Sequence, residues 1–206
     1  MSEECFDEEY SERHEGKGKI SFEPRFFREK KMPKNQKVAI LIDQLFQDSE
    51  VTDPKSKLEE SGFKVDVIGQ NTTEEYIGKK GTKIKANKSI DSASAKDYVG
   101  LVIPGGWAPD KMRMNEKMVN FIFDINSKNY PIACICHGGS MLVEADIVKG
   151  KKVTSYASIK TDLINAGARW LDKEVVVDGN LITSRTPADL QAFCAEFLKA
   201  LSLVGV

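Results

Sequence analysis

Histidine is scarce in this 206-residue sequence: His14 and His137 are its only two copies. An imidazole-based metal site is therefore not expected, because such sites draw on several His and Cys ligands, and neither a metal nor a cofactor is predicted. Cysteine is sparse as well. Its four copies, Cys5, Cys134, Cys136 and Cys194, follow no framework spacing, which argues against a disulfide-stapled fold and predicts reduced thiols. No apolar run approaches the roughly 20 residues of a membrane span. The opening Met1-Ser2-Glu3-Glu4 is acidic, the opposite of a secretion signal, so a cytoplasmic protein without membrane partners is expected. Charge of one sign is lacking too: 30 Lys and Arg stand against 31 Asp and Glu, and nothing in the bulk charge favours nucleic acid.

What is present reads as one domain with an arm. A chain of this length buries roughly 70% of the surface its unfolded form would expose, enough for a core without staples. Residues 1–36 differ from the rest: residues 3–15 hold seven acids and one base, and residues 17–34 are mostly basic with Phe22, Phe26 and Phe27 interleaved. Charged segments of this kind stay solvated, and the three phenylalanines are the expected anchors by which the arm would dock.

Residues 37–206 alternate as a doubly wound α/β domain should. KVAILI (37–42) predicts a buried parallel strand. Thr52-Asp53-Pro54 predicts a helix start with proline in the first turn, ending at Gly62, and residues 63–68 return as a strand. Residues 71–91, with alternating Thr82-Lys83-Ile84-Lys85, predict an exposed hairpin insertion whose lysines form a solvated edge. Strands follow at 100–103 and 131–135, with a helix over 116–125 between them. Ser158 is expected to cap a helix over 159–166 that Gly167 ends. Residues 174–184 predict two short strands around Asp178-Gly179-Asn180, and a last helix opens after Thr186-Pro187.

The stretch Ala133-Cys134-Ile135-Cys136-His137-Gly138-Gly139-Ser140 carries the chemistry. An apolar strand ends in a cysteine, and a glycine-rich turn leads into a helix; Cys136 then sits on a nucleophile elbow. There it faces free backbone N–H groups and the positive end of the helix, which favour thiolate over thiol. Cys134, two residues earlier on the strand, is expected to face the core. Gly105 and Gly106 close the neighbouring parallel strand, at the sheet edge where such folds bind ligands, and offer N–H groups to an oxyanion.

Cys136-His137-Gly138-Gly139 after Ile132-Ala133-Cys134-Ile135, with Val102-Ile103-Pro104-Gly105-Gly106 upstream and Ala166-Gly167-Ala168-Arg169-Trp170 downstream, resembles the DJ-1/PfpI superfamily. Within it the sequence is most similar to the intracellular-protease (PfpI) branch, over about residues 37–201. The resemblance implies a flavodoxin-like parallel sheet sandwiched by helices and an active-site cysteine at Cys136. It implies that His137 is oriented by an acid from a neighbouring subunit, at the position held here by Asp110, and hence a homo-oligomer. It also places Glu50 beside the sulfur, where two anions at hydrogen-bond distance disfavour each other and the carboxyl should be protonated. Gln47 stands where the branch commonly has a second glutamate, and Tyr156 matches a tyrosine that lines the site.

Adjacent side chains on a turn usually point apart, so direct proton transfer between Cys136 and His137 is not expected in a relaxed geometry. The activity implied is that of a cysteine hydrolase of the peptidase kind. Relatives are also credited with glyoxalase or protein-deglycase activity, and a third reading is a stress-response sensor whose cysteine is oxidised beside Glu50. Small carbonyl compounds, peptides and glycated proteins are the corresponding partners. A glutaminase reading is weak, because the distant histidine and glutamate it needs are missing.

Overall fold

The computed structural model describes residues 36–204. Apart from Gln36, the expected arm and its Phe22, Phe26 and Phe27, together with His14 and Cys5, lie outside the described residues.

In chain order the elements are β1 (Lys37–Leu41), α1 (Asp48–Glu60), β2 (Lys64–Gly69), β3 (Glu75–Ile77), β4 (Lys83–Lys85), β5 (Lys88–Ser89) and β6 (Gly100–Ile103). They continue as α2 (Ala108–Met112), α3 (Glu116–Ser127), β7 (Ile132–Ile135), α4 (Gly139–Glu144), β8 (Lys152–Val153) and α5 (Lys160–Asn165). The last are β9 (Arg169–Trp170), β10 (Val175–Asp178), β11 (Leu181–Ser184) and α6 (Leu190–Leu201). Seven strands form the main sheet in the order β10-β11-β7-β6-β1-β2-β5, all neighbours parallel except the β10–β11 hairpin. Helices flank it, α1 packed on α6 and α3 on α4. The expected α/β architecture is present.

The central strands β1, β6 and β7 are covered on both faces, which is why they read as unbroken apolar runs and not as alternating ones. From β1 the chain first builds outward through β2 to β5, then returns to the other side of β1 with β6. The strand order therefore reverses between β1 and β6. At such a switch point the loops leaving adjacent strands diverge and leave a crevice at their carboxyl ends.

Helix α1 begins at Asp48, six residues before the Pro54 expected to open it, and Pro54 lies inside it. Having no N–H, Pro54 gives nothing to the Glu50 carbonyl four residues back. Tertiary bonds compensate. The buried Asp48 carboxylate accepts from the Lys80 and Thr82 main-chain N–H groups at 2.8 and 2.9 Å. The β3–β4 hairpin is as expected, but residues after it add β5 to the main sheet as an edge strand. The hairpin is also docked: Leu45 N–H donates to Ile77 O and Lys79 N–H to Phe46 O, at 2.8 and 2.9 Å.

Ser158 does not cap α5. It lies in a short 3-10 turn, Ala157–Ile159, and the helix has no side-chain cap. Gly167 ends α5 in the left-handed conformation expected (φ 87°).

Asp48→Ala should leave two main-chain donors without an acceptor and cost about 2 kcal/mol of stability. Urea unfolding of the two proteins checks this, with the loss expected in the midpoint.

Candidate active site

Cys136 follows β7 directly and has a left-handed backbone, φ 61°. For a residue with a Cβ this conformation costs on the order of 1–3 kcal/mol and persists only where the surroundings impose it. They do so here. Tyr156 N–H donates to the Cys136 carbonyl at 3.3 Å, and Ser140 Oγ donates to the His137 carbonyl at 2.9 Å. Gly138 lets the elbow press against β6: a Cβ there would stand 2.8 Å from the Ile103 carbonyl oxygen.

The left-handed residue brings consecutive side chains to one side. Cys136 Sγ lies 3.3 Å from His137 Nδ1, so the expectation that the two would point apart is corrected. The other ring nitrogen, Nε2, is 3.0 Å from Ser158 Oγ. The Tyr156 ring stacks on the imidazole at 4.8 Å between centroids and 26° between planes, a contact consistent with a tyrosine that lines the site. Burial, and then the positive charge of Lys79, lower the His137 pKa from 6.5, which makes it a neutral base at neutral pH.

Glu50 is fully buried in the first turn of α1. Its Oε2 accepts from Gly105 N–H at 2.7 Å. Among the described residues Oε1 has no hydrogen-bond partner by geometry, although the carboxyl and the Cys136 thiol shift each other's ionisation. Burial raises Glu50 to about 7, against the pull of the Gly105 N–H. The expectation of a carboxyl held protonated into the neutral range agrees with this. The expectation of an intrinsically acidic thiol does not. Burial, then the Glu50 charge, push Cys136 up to about 12, outweighing the His137 and Gly106 N–H groups that pull it down. A thiol at 7% exposure loses more hydration than an elbow returns. Cys134 is buried in the core, as expected, and its thiol is raised well above its ordinary value.

The two glycines divide their roles. Gly105 N–H is occupied by Glu50, so it is not free for an oxyanion, and that assignment is corrected. The N–H groups that face the sulfur are those of Gly106 and His137. Gly106 has φ 80°, and a Cβ there would stand 2.5 Å from both Gln47 N and Leu45 O; residues 45–47 and 105–107 are laced together by Gln47 N–H to Gly105 O and Trp107 N–H to Leu45 O. Gln47 lies in this lacing.

A cleft of about 520 Å³ opens over His137, bounded by Leu45, Trp107, Asp110, Ile159 and Asp162 among others. Asp110 of the same chain shares the cleft but makes no hydrogen bond to His137 among the described residues. A depression of about 590 Å³ among Gln70, Asp91 and Lys117 holds none of these groups. Lys79, at the hairpin tip, stands 5.5 Å from the Trp107 ring centroid and lowers the pKa of both Glu50 and His137. It is exposed, as expected for the hairpin lysines, yet its charge acts on the site. No group of three His, Cys, Asp or Glu that could hold a metal occurs among the described residues, and no helix among them is long and apolar enough to cross a membrane.

The DJ-1/PfpI family profile matches residues 36–200. The chain belongs to the DJ-1/PfpI family. It is 42% identical over 167 residues to the putative cysteine protease YraA of Bacillus subtilis, a match that covers 81% of this chain and 99% of the relative. It is equally 42% identical over 165 residues to the deglycase PH1704 of Pyrococcus horikoshii, covering 80% and 99%. Among solved structures, a two-domain protein from Anabaena variabilis with DJ-1/ThiJ/PfpI-like and ferritin-like domains superposes with a TM-score of 0.80 at 43% identity. That match covers 82% of this chain and only 49% of the longer one. DJ-1/PfpI membership agrees with the mostly parallel sheet flanked by helices.

Ser158 and Lys79 escaped the sequence reading. The first looks like a helix cap and the second like one of several surface lysines; only the docking of their segments onto the elbow and onto residues 45–47 distinguishes them.

Glu50 binds its proton more tightly folded than unfolded, so its contribution to stability is fully present below about pH 4.5 and is lost as pH rises through about 7. The rise corresponds to about 3 kcal/mol. Wild-type protein should lose about that much more stability than Glu50→Gln between pH 4.5 and 8, measured by denaturant unfolding at both pH values.

Proposed function

We propose that this DJ-1/PfpI chain is a cysteine-dependent hydrolase in which Cys136 attacks an electrophilic carbonyl carbon. The observation that carries the proposal is the 3.3 Å approach of Sγ to Nδ1 of a neutral His137. The imidazole takes the thiol proton as sulfur bonds to carbon, so the thiolate need not exist beforehand at a raised pKa. The carbonyl oxygen gains the electron pair and is held by the Gly106 and His137 N–H groups. Glu50, raised to about 7, adds no negative charge beside the developing anion when it holds its proton. When the intermediate collapses, protonated His137 returns its proton to the leaving amine or hydroxyl, and water repeats the sequence to free the thiol.

The near-complete burial of Cys136, next in sequence to the His137 that lines a cleft of about 520 Å³, favours small carbonyl compounds and adducts on side chains over a peptide threaded through the site. Deglycase is the printed name of one relative and putative cysteine protease that of another; both chemistries begin with the same addition. Cys136→Ser should abolish turnover at a stability cost of about 1 kcal/mol. Saturable, Cys136-dependent release of the free amine from methylglyoxal adducts supports the carbonyl reading, and cleavage of a peptide without it supports the peptidase reading. No turnover, with ready peroxide oxidation of Cys136, would leave the sensor.

We infer further that the protein forms a homo-oligomer that brings Asp110 of a second copy to the His137 cleft. Trp107 at 62% and Met114 at 82% exposure flank Asp110 and give this face apolar area to bury. Asp110→Asn should keep the assembly and slow turnover by roughly tenfold or more. A monomer by light scattering, active and indifferent to the substitution, would overturn the shared site.

A further inference from the structure

The imidazole of His137 has one proton and two nitrogens, and its catalytic use depends on which nitrogen carries it. Nδ1 faces the Cys136 sulfur at 3.3 Å and can take the thiol proton only if its lone pair is free. The proton must then sit on Nε2, where something has to accept it. Within the chain the group at that position is the Ser158 hydroxyl, 3.0 Å away. Asp110 of the same chain, though in the cleft, makes no bond to the ring.

We propose that Ser158 is a positioning residue that holds His137 in the Nε2–H tautomer and so makes Nδ1 the base for Cys136. The inference rests on the Cys136–His137 reading above. Three observations converge on it. First, the hydroxyl of Ser158 is not used as a cap: it stands one residue before the N-cap position of α5, Ile159, and α5 has no side-chain cap. Second, the segment carrying Ser158 is fastened to the elbow itself, through Tyr156 N–H to the Cys136 carbonyl and the Tyr156 ring on the imidazole. The hydroxyl and the ring therefore move together. Third, a thiol with its proton in place donates to Nδ1, which already requires the proton on Nε2, and a hydroxyl accepts there without adding charge.

A carboxylate at Nε2 would raise the imidazole pKa; a hydroxyl does not. The arrangement thus suits a base that has to stay neutral at rest. It also leaves the hydroxyl proton of Ser158 free to point outward, toward an acid supplied by a second copy.

The test uses the full chain and two variants, Ser158→Ala and Ser158→Thr, with no substrate required. Nitrogen-15 NMR of His137 reads the tautomer directly, and the pH dependence of iodoacetamide alkylation of Cys136 reads the base. Wild type should show the Nε2–H form. Ser158→Ala should give a mixture of tautomers and slow alkylation near neutral pH by roughly tenfold, whereas Ser158→Thr should retain both properties. Ser158 is exposed, so all three proteins should share one melting temperature. An Nδ1–H tautomer in wild type, or an unchanged tautomer and alkylation profile in Ser158→Ala, would overturn the proposal. These readouts are independent of turnover: if Cys136→Ser remained active the hydrolase reading would fall, while the tautomer would still decide the role of Ser158.

Discussion

The bond from Gly105 N–H to the buried Glu50 carboxyl, 2.7 Å long, is the contact on which the site depends. It ties the end of β6 to the first turn of α1, across the point where the strand order reverses. A charged carboxyl in that place would be severely penalised by lost hydration. The structure answers by keeping the group near its neutral form and by giving one oxygen a main-chain donor. The other oxygen has no hydrogen-bond partner among the described residues. Occupying Gly105 in this way also decides which N–H groups remain for a reacting oxygen, namely those of Gly106 and His137.

Three titratable groups then share one small volume, and their charges cannot be assigned singly. Ionising Glu50 raises the Cys136 pKa, and a thiolate would in turn keep Glu50 protonated; the pair loses its first proton as a unit. Lys79 acts in the opposite sense on the carboxyl, and it disfavours a proton on His137. The result is a resting site close to electrical neutrality, with a thiol, a neutral imidazole and a carboxyl poised near 7. Reactivity under these conditions comes from proton transfer in step with attack, which the Sγ–Nδ1 distance permits, and not from a standing thiolate.

The fold was legible because burial on both faces leaves a plain trace: the runs at 37–42, 100–103 and 131–135 are apolar without alternation, and glycine stops such as Gly167 sit where a helix has to end. Cys136 was legible for the same reason, at the junction of a buried run and a glycine turn. The start of α1 was not, because Asp48 and Glu50 look like loop acids until the hairpin donors and the Gly105 N–H are in place. Local capping signals at Thr52 to Pro54 lost to those tertiary bonds. The raised thiol pKa was not legible either. Helix and N–H effects are visible in the sequence, whereas the desolvation that outweighs them depends on how completely the tertiary fold covers the elbow.

That cover also explains why a hairpin far along the chain belongs to the catalytic unit. The hairpin is held by the Asp48 carboxylate, the Leu45 N–H and the Phe46 carbonyl, all on the segment that leads into Glu50. Its tip carries Lys79 to the Trp107 ring at the mouth of the cleft. The segment that leads into Glu50 therefore also anchors the hairpin whose Lys79 charge offsets part of the carboxyl's burial, so the depth of the carboxyl and the strength of this counter-charge are coupled. A change that loosens the hairpin removes the lysine's influence and admits water to the carboxyl at once, and the two effects on Glu50 oppose each other. The pKa of the carboxyl is thereby buffered against motion of the hairpin, while His137 is not: there, retreat of the charge and hydration of the ring both favour the protonated form. Motion of this loop should consequently be felt first at the histidine, the group whose neutral state the chemistry requires.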